Sequence, residues 1–85
     1  MATLQVFAIR DSAMDMFQQP FCLPSRGGAI RAFGDAVKNK ETPFYKHPEH
    51  YELFYLGQFH EELGSFDLLD KPQSVSLATD FAKGE

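Results

Sequence analysis

The run His47-Pro48-Glu49-His50 sets two histidines three residues apart, and His60 follows ten residues after the second. Imidazoles at such spacing can ligate a transition metal. Pro48 keeps the pair out of a regular helix, and the one cysteine of the chain, Cys22, lies far away in sequence. Surface histidines, with no metal bound, are therefore the expected reading. His60, Glu61 and Glu62 have the residue types of acid–base catalysis. They fall in or beside a hairpin turn, where a solvated turn is the simpler expectation. Cys22 stands between Phe21 and Leu23. A nucleophile would need a neighbouring base and a pocket, so this thiol is expected to pack as a small apolar side chain. Arg26-Gly27-Gly28 precedes a helix and could hold a phosphate at its N-terminus. The glycine spacing matches no phosphate loop, and a plain cap is expected. No catalytic residue and no cofactor follows from these residues, and the expectation is a protein that is not an enzyme.

A different chemistry is written into residues 26–46, which collect Arg26, Arg31, Lys38, Lys40 and Lys46 against Asp35 and Glu41. Phe44-Tyr45-Lys46-His47 sets aromatic rings beside positive charge, a combination suited to stacking on single-stranded bases. Arg26, Arg31, Lys38, Lys40, Tyr45 and Lys46 are thus the candidate DNA-binding residues. Charge is uneven along the chain. Residues 1–50 hold six basic and five acidic side chains, and residues 51–85 hold two basic and seven acidic. The net charge of −4 argues against coating nucleic acid by charge alone, so any contact should be weak and local. A solvated face is the competing reading of the same strip.

The elements that would position these groups follow from periodicity. A chain of 85 residues is expected to be one domain spanning 1–85. Nine Phe and three Tyr argue for a folded core. A single cysteine suits a reducing compartment. No apolar run reads as a leader or a membrane span, so a cytosolic protein is expected. Residues 3–10 read as a strand. Residues 12–24 carry Pro20 and Pro24, which stop a long helix, and Phe17, Phe21 and Leu23, which should fold back over the sheet or an edge. Ser25 is the predicted cap of a helix whose Ala29, Ile30, Phe33, Ala36 and Val37 fall within an arc of about 120°. Gly27 and Gly28 in its first turn suggest close approach of another backbone. Residues 51–60 and 65–69 read as a hairpin with Gly64 at the turn, and residues 74–82 as a short C-terminal helix.

The fold class expected is α+β: a small antiparallel sheet in the order β-α-β-β, with one amphipathic helix on one face. Alternation puts Tyr51, Leu53, Tyr55 and Phe59 on one side and Phe54 and Leu56 on the other. One helix covers one face, so residues 12–24, the C-terminal segment or a second copy must cover the other. A homo-oligomer, most simply a dimer, is the expected assembly.

The order of short motifs resembles a known family. A strand ending in Asp11 is followed by Pro20-Phe21, Pro24 and Gly28-Ala29-Ile30-Arg31-Ala32-Phe33. His47-Pro48, Tyr51-Glu52-Leu53-Phe54, Leu56-Gly57-Gln58-Phe59, Gly64 and Asp80-Phe81 complete the set. Together they resemble the small nonstructural protein of gokushovirus-type microviruses, which are single-stranded DNA bacteriophages. The resemblance implies a non-enzymatic role in the phage life cycle. It implies a protein made in the host bacterial cytoplasm and absent from the mature virion. It also implies a likeness to the microvirus factor that switches replication from duplex copying to single-strand production and packaging. Two function classes stay open. One is a replication and packaging accessory that touches single-stranded DNA through residues 26–46. The other is a protein–protein adaptor or homo-oligomer acting on the viral replication initiator, the procapsid or a host factor.

Overall fold

A computed structural model describes residues 3–82; the two ends of the 1–85 span, residues 1–2 and 83–85, lie outside the described residues. The nine residues of β1 (Thr3–Asp11) draw their β propensity from Thr3, Val6, Phe7 and Ile9. Two short strands follow, β2 (Met16–Phe17) and β3 (Phe21–Leu23), where a loop over 12–24 was expected. Both pair antiparallel with β1, with Phe17 against Arg10 and Cys22 against Val6. They therefore cover its outer edge, one of the outcomes expected of this segment. Cys22 is exposed there rather than packed, which corrects the expectation of an apolar burial.

Helix α1 (Arg26–Lys38) starts at Ser25, whose hydroxyl accepts from the Gly28 N–H at 3.1 Å. A Cβ at Gly27 would meet nothing within 4 Å, and one at Gly28 only the Ser25 hydroxyl at 3.3 Å. No other backbone lies where a side chain at either glycine would stand, contrary to expectation. Two short turns, α2 (Pro43–Lys46) and a 3-10 turn at Pro48–His50, lead into β4 (Tyr51–His60). The chain then returns as β5 (Ser65–Leu77) and closes with α3 (Thr79–Ala82). Gly64 holds φ at +68° in the hairpin turn, as its type suggests. The helix expected over 74–82 is mostly strand. Ser74 and Ser76 pair with Phe54 and Leu53, and only the last residues turn helical.

The result is an α+β fold built on one antiparallel sheet, in the order β2-β1-β4-β5 with β3 beside β2 on the edge of β1. Phe7, Leu53 and Ala78 from the sheet side meet Ala29, Phe33 and Val37 of α1 in the core. The second face follows from a bulge. Val6 pairs with Gly57 but Phe7 with Tyr55, so Leu56 is an extra residue in β4. Leu4 pairs with Phe59. Phe59 therefore lies on the face opposite Tyr51, Leu53 and Tyr55, not beside them as strict alternation implied. Its ring stands 4.9 Å from that of Phe66, and Phe66 and Leu68 remain exposed. Phe17 contacts Phe54 at 5.3 Å on the same face. The C-terminal helix packs on α1 through Phe81 instead and does not cover this face, where Val6 and Ala8 are buried and the end carrying Phe66 and Leu68 stays exposed.

Candidate nucleic-acid interface

The end of α1 and the start of α2 are tied by one side chain. The Thr42 hydroxyl lies 2.7 Å from the Ala36 carbonyl and 2.9 Å from that of Asn39, and it accepts from the Tyr45 N–H at 3.3 Å. Asn39 caps α1 through its backbone N–H, and its side-chain oxygen accepts from the Glu41 N–H at 3.0 Å. Phe44 points inward, its ring edge-on to Tyr51 at 4.7 Å and tilted against Phe33 at 6.1 Å. Its neighbour Tyr45 is consequently turned outward and is 40% exposed.

These constraints bring Lys38, Lys40 and Tyr45 to one open groove of about 410 Å³, floored by Val37, Phe81 and Ala82. Lys38 also sits in the last turn of α1, where its charge complements the helix dipole. Among the described residues, no carboxylate forms an ion pair with Lys38 or Lys40. Two free ammonium groups beside a phenol ring and an apolar floor can engage an anionic backbone with a stacked base.

The other candidates are distributed differently. Arg31 is exposed on the outer side of α1, seven residues before Lys38 and so about 10 Å along the axis. Lys46 is exposed beside Tyr45 in α2. Arg26 is at the far end of the helix, about 18 Å from Lys38 by helical rise. Its guanidinium lies 5.0 Å from the centre of the Tyr55 ring and donates to Gln73 at 3.3 Å, so it braces the sheet. The groove floor was missed from sequence. Phe81 is some forty residues from Lys38, and it reaches α1 because Gly34 carries no side chain: a Cβ there would lie 2.9 Å from the Phe81 ring.

His47, Glu49 and His50 share the turn after α2, while His60 lies at the distal end of β4. No helix among the described residues is long and apolar enough to cross a membrane.

The family model described as "Phage ORF5 protein" matches residues 4–81. The chain belongs to that family and is a bacteriophage protein. No curated protein and no solved structure matches it.

Proposed function

We propose that this Phage ORF5 family member is a non-enzymatic accessory factor of a gokushovirus-type microvirus, acting in single-stranded DNA replication and packaging in the host bacterial cytoplasm and left out of the mature virion. The observation that carries the DNA-contacting part of this reading is the meeting of Lys38, Lys40 and Tyr45 around one groove. The groove offers charge and a stacking ring but no nucleophile with a base beside it, which favours binding over catalysis. Arg31 and Lys46 extend the positive surface outside the groove. The acidic residues 51–85 limit affinity and keep the contact transient. The test is retention on a single-stranded oligonucleotide at low salt, with Lys38→Glu/Lys40→Glu as the comparison. Binding by the parent and its loss in the double variant support the reading. No retention of the parent, or equal retention of both proteins, rejects it.

A second reading has its own observation. Leu4, Phe59, Phe66 and Leu68 share the sheet face that α1 does not cover, and Phe66 and Leu68 are more than half exposed. Exposed apolar strips of this kind mark protein contacts. On this reading the chain is a homodimer or an adaptor for the viral replication initiator, the procapsid or a host factor. A pull-down from infected cells, with and without nuclease, separates the two readings.

A further inference from the structure

We propose that His47, Glu49 and His50 form a three-donor site for a divalent transition-metal ion of the zinc class, with its remaining positions open to water. The turn itself makes the site. The 3-10 turn spans Pro48–His50 with His47 at its N-cap, and the hydrogen bond from the His50 N–H back to the His47 carbonyl brings the two histidines together in spite of Pro48. Their rings are 5.6 Å apart and inclined by 21°. The Glu49 Oε2 atom stands between them, 3.9 Å from His47 Nδ1 and 3.7 Å from His50 Nε2. One ligand atom from each of the three lies within 4.8 Å of the others.

These separations are too long for hydrogen bonds and close to the edge of a coordination tetrahedron. With metal–ligand bonds of about 2.0–2.2 Å, that edge is about 3.3–3.6 Å. Closing onto an ion needs a contraction of a few tenths of an ångström at each carboxylate–imidazole pair, at most about 1.5 Å between the two ligand atoms farthest apart, and rotation of one imidazole, so that both nitrogen lone pairs converge. The side chains are free to do this: His47 is 62% and His50 39% exposed. The backbone beneath them is held. The His50 N–H donates to the His47 carbonyl at 3.0 Å, the His47 N–H to Pro43 at 2.9 Å, and the Ser12 N–H to His50 at 2.8 Å. Two imidazoles and one carboxylate suit zinc, copper or nickel and disfavour calcium or magnesium, which require more oxygen donors.

The test uses the tag-free full chain and zinc chloride in calorimetric titration, with cobalt chloride as a spectroscopic probe. One equivalent of zinc should bind saturably in the micromolar range. The imidazole resonances of His47 and His50 should shift on titration while those of His60 stay in place. His47→Ala and His50→Ala should each weaken binding by at least about tenfold, and His60→Ala should match the parent. Circular dichroism of each variant without metal confirms that the fold is kept. Absence of saturable binding by the parent overturns the proposal. So does undiminished binding by either His47→Ala or His50→Ala, or a His60→Ala variant as weak as these.

Discussion

Leu68 crosses Gly57 so closely that a Cβ at Gly57 would lie 2.6 Å from the Leu68 Cα and 2.5 Å from the Asp67 carbonyl oxygen. Gly57 also holds φ at +146°, a conformation rarely open to other residues. Beside it, residues 69–72 of β5 face only Leu56 of β4, so both strands bulge at this point. The bulge carries Pro72, which interrupts an otherwise long edge strand and blunts it against unwanted pairing.

Gly57→Ala should therefore destabilise the domain by roughly 3 kcal/mol, combining backbone strain with a backbone clash that no rotamer relieves. Thermal denaturation followed by circular dichroism measures it. A melting temperature equal to that of the parent would show that β5 can shift at no cost.

Phe33 is 3% exposed and meets Phe81 edge-on at 5.9 Å, with Phe44 on its other side. Removing its ring empties the junction of α1, α2, α3 and the sheet. Phe33→Ala should cost roughly 3–5 kcal/mol, enough to unfold a domain at the low end of ordinary stability. Urea denaturation gives the value, and a change below roughly 1 kcal/mol would contradict this packing.

Local signals were legible before the structure. Ser25 announces its cap, Ala29, Phe33 and Val37 announce the buried stripe, and Gly64 announces its turn. What depends on pairing was not. Val75, Ala78 and Phe81 have helical spacing, but Ser74 and Ser76 find partners in β4, and tertiary pairing overrides the pattern. Phe59 changes face because Leu56 bulges, and the bulge rests on the close approach at Gly57, which alternation cannot encode. Lys38, Lys40 and Tyr45 were legible as a site because they are near in sequence. Phe81, which completes their groove, was not.

Tyr51 is paired with Asp11 in the sheet. Burial raises its phenol above the usual value of 10.0, and the Asp11 carboxylate beside it adds to the rise. The folded state thus holds this proton more tightly than the unfolded chain. The resulting stabilisation is fully present below pH 10.0 and is lost as pH rises through the folded value. Phenolate absorbance should show one tyrosine of the folded protein titrating later than free tyrosine. Tyr51→Phe should remove that late step, and a late step that survives the substitution would assign it elsewhere.

The open sheet face predicts association. Phe66 is 57% and Leu68 55% exposed, so both can be changed without emptying the core. Light scattering at micromolar concentration should give the mass of a dimer for the parent. Phe66→Ser/Leu68→Ser should give a folded monomer. A monomeric parent, or a double variant that still dimerises, would mean that this strip is not the self-association surface.

Tyr45 distinguishes stacking from simple charge attraction at the groove. It is held outward by the Thr42 cap and by the buried ring of Phe44, so its loss leaves the fold intact. If a base stacks on it, Tyr45→Ala should weaken single-stranded DNA binding by about 1–3 kcal/mol without changing the salt dependence. Lys38→Glu/Lys40→Glu should instead act on the charge contacts. The parent is expected to neutralise few phosphates, giving a log–log slope of about −2 to −3 at roughly 0.7 per contact; the double charge reversal should abolish binding, and the single neutralisation Lys40→Ala should flatten the slope by roughly 0.7. Fluorescence anisotropy of a labelled oligonucleotide across a salt series reads both effects at once. Equal affinity of Tyr45→Ala and the parent would leave the groove as a purely electrostatic contact, and a parent slope near zero would remove the phosphate contacts from it.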